Sequence, residues 1–167
     1  MRQSTLGVVA SAAWIAIGMI AMAPSATAET SGSQSFTVFA AGPPGTPRTV
    51  VAAGVINGVG TVVQGPSGPN YANPTWVFPD GSLSLRLNYV SENVSNESAC
   101  IFTSMLTGTW NITSGTGRFA GATGSGNFSG PNTTMLLRTP GGCDGPLAQF
   151  TLFQYGGVVS LPGAIAA

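Results

Sequence analysis

Gly115-Thr116-Gly117-Arg118-Phe119-Ala120 fits G-x-G-x-x-[G/A], the spacing of a loop that holds a dinucleotide phosphate. That chemistry needs a buried strand before the loop and a helix after it, with the helix N-terminus facing the phosphates. The residues that follow are Gly121-Ala122-Thr123-Gly124-Ser125-Gly126-Asn127. Each glycine would cost a helix about 1 kcal/mol relative to alanine. No acid stands about twenty residues further on to take the ribose hydroxyls. The stretch therefore reads as a connection between two strands, and no cofactor is expected. Phe119 should pack down as a lid on one end of the fold. Arg118 should bond backbone carbonyls or a nearby acid, a structural reading preferred to a catalytic one.

The remaining reactive residues are few. The chain has no histidine, which excludes a Ser-His-Asp triad, His-ligated zinc and an imidazole proton shuttle. Glu92 and Glu97 lie in Ser91–Ser98, SENVSNES, which reads as a polar loop with solvated acids. It lacks the spacing of an EF-hand, and no metal site is expected. Asn93, Asn96, Asn111, Asn127 and Asn132 each begin an N-x-[ST] triplet. These read as chance products of a chain rich in Ser, Thr and Asn. Cys100 and Cys143 are expected to pair in an exported protein, the alternative being two buried thiols. Closing that loop would add about 4 kcal/mol at the upper end in the chain-entropy model.

Export is expected from the N-terminus. Arg2 precedes an apolar run from Leu6 to Ala23, and Ala26-Thr27-Ala28 forms an A-x-A cleavage signal. Residues 1–28 are thus read as a signal peptide cleaved after Ala28, in preference to an uncleaved anchor, and 29–167 as a single secreted or cell-envelope domain. That domain has four arginines, no lysine and five acids, hence 4 − 5 = −1 in net charge. A chain so nearly neutral offers no electrostatic footprint for nucleic acid or an anionic membrane. After Ala28 no apolar run is long enough to span a bilayer as a helix.

The elements that position these residues read as strands. Ser82–Val90, SLSLRLNYV, puts Leu83, Leu85, Leu87 and Tyr89 on one face and Ser84, Arg86 and Asn88 on the other. Such period-two alternation marks a half-buried antiparallel strand. Leu147–Tyr155 is a second strand with two mixed faces. Ser35–Ala40, Thr49–Ile56, Gly58–Gln64, Thr75–Phe78, Ala99–Leu106, Gly108–Thr113, Ala122–Ser129 and Thr133–Arg138 complete the set, two being short enough to belong to neighbours. Loops are expected at Gly42–Pro47, Gly65–Pro74 and Pro140–Pro146, and Leu161–Ala167 as a frayed tail or a cover over one end of the domain. In Ala122–Ser129 the inner face is small (Ala122, Gly124, Gly126) and ends in Phe128, leaving room for Trp110 and Ile112 of the preceding strand. Eight to ten strands in a domain of this size suggest a closed barrel or a sandwich.

The run from Gly108 to Gly126, GTWNITSGTGRFAGATGSG, resembles the signature of the allene oxide cyclase and dirigent superfamily, especially its small exported bacterial members. The shared pattern is a strand, a G-[GS]-T-G-x-F-x-G-A-x-G turn carried here by Gly115, Thr116, Gly117, Arg118, Phe119 and Gly121, and a second strand. Ser114 stands where the family often has glycine. The resemblance implies an all-β, closed, antiparallel, roughly eight-stranded β-barrel that often forms homo-oligomers. The family's catalytic residues match no position of this chain by motif. The expected function is binding of a small apolar molecule or a surface partner, without catalysis. Leu83, Leu85, Leu87, Tyr89 and Trp110 are the candidate lumen. Cell-envelope assembly and a cyclase-type isomerase are the alternatives. Empty volume beside those leucines would favour binding, a buried acid there would favour the enzyme, and a solid core with an apolar outer patch would favour assembly.

Overall fold

Alternation governs almost the whole chain. A computed structural model describes residues 29–163, and the expected signal segment and the last four residues lie outside them. Ten strands follow in order: β1 (Thr30–Gly42), β2 (Arg48–Gly54), β3 (Gly58–Val63), β4 (Ser67–Gly68), β5 (Tyr71–Ala72), β6 (Thr75–Phe78), β7 (Gly81–Asn96), β8 (Ile101–Gly115), β9 (Thr123–Thr139) and β10 (Gly142–Leu161). The described residues contain no α-helix, only two single 3-10 turns. All pairings are antiparallel. They run β7-β6-β3-β2-β1-β10-β9-β8, and β8 pairs again with β7, so eight strands close a ring. β4 and β5 form a small hairpin that pairs with β7 beyond the end of β6.

Every second side chain points into the ring. Phe36, Val38, Val50, Ala52, Trp76, Phe78, Leu83, Leu85, Leu87, Trp110, Phe128, Phe153, Tyr155 and Val159 make one buried cluster. Aromatic edges link it: Phe36 meets Trp76 at 4.7 Å and Trp110 at 5.6 Å between ring centres, and Trp76 meets Tyr155 at 5.1 Å. Glycine makes the space. A Cβ on Gly157 would stand 2.7 Å from Cζ2 of Trp110, and one on Gly124 would stand 3.1 Å from Cδ1 of Ile112. The pairing of small residues with Trp110 and Ile112 is thus present, although β10 supplies the glycine under the indole.

Several elements run past their expected ends. Ala99–Leu106 and Gly108–Thr113 are one strand, β8, and Ala122–Ser129 and Thr133–Arg138 are one strand, β9. Ser91–Asn96 is not a loop: it continues β7, pairing from Ser91 opposite Leu106 to Asn96 opposite Ile101. Backbone pairing across a long hairpin overrides the polar composition, and Glu92 and Glu97 remain exposed as expected. The Gly65–Pro74 segment contains the β4–β5 hairpin, and β10 already begins at Gly142. Leu161, expected to begin the tail, ends β10 and is buried.

The opening motif is a turn. Gly115 ends β8, a 3-10 turn spans Gly117–Phe119, and β9 begins at Thr123. Gly117 has φ +58°, and a Cβ there would also meet the Asp80 carbonyl. The turn is strapped to the start of β7 and to the β6–β7 connection by Thr116 N–H donating to the Ser82 carbonyl and Arg118 N–H donating to that of Asp80, each at 2.9 Å. Phe119 is buried edge-on against Phe78 at 5.5 Å and closes that end of the ring. Arg118 lies 3.6 Å from the Asp80 carboxylate, both side chains being more than half exposed. Cys100 and Cys143 are bonded, their Cα atoms 5.4 Å apart.

Candidate functional site

The end of the ring away from Phe119 is open. A cavity of about 220 Å³ lies there, walled by Val38, Val62, Trp76, Leu87, Tyr89, Leu106, Phe128, Phe153 and Tyr155. Ser67, Ala72 and Pro74 of the β4–β5 region form one side. The Tyr89 hydroxyl holds that hairpin down by donating to the carbonyls of Gly68 at 3.2 Å and Tyr71 at 3.4 Å. Phe128 stacks on Tyr155 at 4.9 Å. The walls are thus largely aromatic and already packed on one side.

Four polar residues join the lining: Arg48, Gln64, Ser67 and Asn132. Arg48 faces inward because it stands two and four residues before Val50 and Ala52 on the buried face of β2. It is half-buried and pairs in register with Val62. Among the described residues the ion pair is Arg118–Asp80, so no carboxylate neutralises Arg48. Asn132 reaches the cavity from β9, and its Oδ1 accepts a hydrogen bond of 2.9 Å from the hydroxyl of Thr151. Thr151 is itself only 2% exposed. The Asn132 amide keeps its two N–H donors. Burial raises the Tyr155 phenol above the usual tyrosine range, and the nearby Arg48 charge only partly opposes this. The phenol therefore stays a neutral donor. No Asp or Glu lines the cavity.

The five residues expected to line a lumen divide. Leu87 and Tyr89 border the cavity, whereas Leu83, Leu85 and Trp110 sit in the solid part of the interior, each 0–1% exposed. Trp110 also donates its indole N–H to the Gly156 carbonyl at 3.3 Å. The turn residues Gly115, Thr116, Gly117, Arg118, Phe119 and Gly121 build the closed end and do not border the cavity. Sequence reading missed Arg48, Asn132 and Tyr155. Their signal was register: each lies an even number of residues from an inward apolar neighbour on its own strand, Val50, Phe128 and Phe153 respectively.

Elsewhere the chemistry is already engaged. Arg86 lies 4.1 Å over the Tyr71 ring and donates to Asn88 and Asn73. No group of three His, Cys, Asp or Glu side chains gathers among the described residues. No described helix is long and apolar enough to cross a membrane. No protein-family model, curated protein or solved structure matches the chain.

Proposed function

We propose that this is an exported β-barrel protein that binds a small, largely apolar molecule in the open end of its ring. The carrying observation is the asymmetry of the interior: solid around Leu83, Leu85 and Trp110, and empty over about 220 Å³ beside Leu87 and Tyr89. Ligand sites are typically concave, mostly apolar and furnished with a few directed polar groups. The disulfide fits an oxidising compartment. The closed antiparallel ring and the resemblance over Gly108–Gly126 support an allene oxide cyclase and dirigent-like barrel. The lining holds no carboxylate for acid–base work, so the reading favours holding a molecule over converting it.

Calorimetric unfolding with a neutral probe tests this. Toluene should raise the midpoint in a concentration-dependent way, since a ligand of the native state stabilises it by mass action. Leu106→Trp, which fills the cavity, should remove the shift. A midpoint that toluene leaves unmoved in the unaltered protein contradicts the proposal.

A second reading, assembly with copies or envelope partners, rests on the outer face of β1, β2, β3 and β6. Phe39, Val51, Val59, Val63 and Val77 are exposed there, 37–57% each, with no charged side chain between them on that face. Register places Val51 opposite Val59 and Thr61 opposite Val77. Such patches mark interaction surfaces. Val51→Asp should then lower the oligomer mass seen by light scattering.

A further inference from the structure

We infer that the molecule held in the open end carries an anionic group, and that its class is a small aryl or short-chain carboxylate. The inference rests on the binding reading above and narrows it. Its first ground is unbalanced charge. Arg48 lines a cavity in which it is the one charged side chain, has no acidic partner among the described residues, and stands where no lining residue could supply one. A cation facing such a cavity is costly unless something compensates it. Arg86, on the outer face of β7, is engaged by Tyr71, Asn73 and Asn88 and does not reach this cavity.

The second ground is the set of hydrogen-bond donors that joins Arg48 in the lining. The hydrogen bond from buried Thr151 occupies Oδ1 of Asn132, which leaves that side chain its donors. Tyr155, another lining residue, carries a further O–H. Arg48 has five N–H donors in a planar fork suited to a carboxylate. Gln64 and Ser67 can donate as well as accept, and no lining side chain is acceptor-only, so these donors and one positive charge favour an acceptor-only, negative group. Alcohols and amides would leave the guanidinium uncompensated.

The third ground is size. A cavity of roughly 150 Å³ accepts benzene, so the space here, about 220 Å³, suits one ring with a short acidic arm. The ring would lie among Trp76, Phe128 and Tyr155, with the acid toward Arg48 and Asn132. Nothing covalent is required of the protein, which only binds and orients.

Phenylacetate and its neutral isostere phenylacetamide test the charge directly. Their affinities for the oxidised full chain would be measured at pH 7 by titration calorimetry, with toluene as a separate apolar probe. The acid should bind at least about tenfold more tightly than the amide, the margin of a charge-assisted over a neutral hydrogen bond. Added salt should reduce that ratio. Arg48→Met should bring it near one. Asn132→Asp, which keeps an oxygen for the Thr151 hydroxyl but replaces the donors with a negative charge, should invert it. Equal affinity for acid and amide in the unaltered protein overturns the inference, and so does a ratio that survives both substitutions. If Arg48→Met fails to fold, the unaltered protein and Asn132→Asp still decide. Toluene separates the two levels: if it binds while the acid gains nothing, only the carboxylate class falls. If no probe binds, the binding reading falls with it.

Discussion

Single residues carry most of the chemistry here, and they do so through register. Arg48 and Asn132 have no distinguishing motif, and their meaning comes from being in phase with Val50 and Phe128 on their strands. A sequence reader can see that phase once strand limits are known, but not which strands meet across the ring. Tyr155 gives a prediction at this scale. Burial raises its native-state pKa above the unfolded value, near 10, so the stabilising preference for the neutral phenol is complete below about pH 10. It is lost as pH rises through the raised native value. Alkaline unfolding should therefore begin later in Tyr155→Phe than in the unaltered protein, and identical pH profiles would argue against a buried phenol. Gly157 gives another. Alanine there would press its Cβ on Trp110 and on the Ser125 carbonyl. Such overpacking should cost about 1–3 kcal/mol, with a shift in tryptophan emission, and denaturant titration followed by fluorescence reads both.

Elements explain why the sequence was legible in its middle and less so at its tips. The leucine alternation in β7 and the small inner face of β9 were visible because each face is uniform in kind. The same holds for the Gly115–Gly121 turn, where glycine geometry and one aromatic specify a plug. Phe119→Ala should cost about 3–5 kcal/mol, as expected for emptying a buried aromatic site, measurable as a lower urea midpoint. The long hairpins were less legible. Ser91–Asn96 is polar apart from the exposed Val94, and only the partner strand and the bridge between Cys100 and Cys143 show that it remains paired. The bridge joins the turn between β7 and β8 to the start of β10. Cys143→Ser with Cys100→Ser should cost at most about 4 kcal/mol on the chain-entropy model. Hydrogen exchange should rise first at those tips and leave Leu83 and Leu85 protected. Uniform loss of protection would place the bridge in the main folding unit instead.

At the scale of the molecule, eight strands form a ring that is filled at one end and open at the other. Composition announced the strands but not this asymmetry, because filled and empty halves use the same residue types. What differs is the partner: Gly157 and Gly124 let Trp110 and Ile112 fill one half. In the other half the half-buried Leu106 and Tyr89, neighbours on the paired strands β8 and β7, border open space along with Arg48. Low charge has two consequences at this scale, an outer valine face suited to contact and an inner arginine without a counter-charge. The most direct test of the account is a methyl-resolved NMR titration of the oxidised protein with toluene. Resonances of Val38, Val62, Leu87 and Leu106 should move together and saturate, while those of Leu83 and Leu85 move far less. Shifts confined to Val51, Val59 and Val77, or none at all, would contradict it.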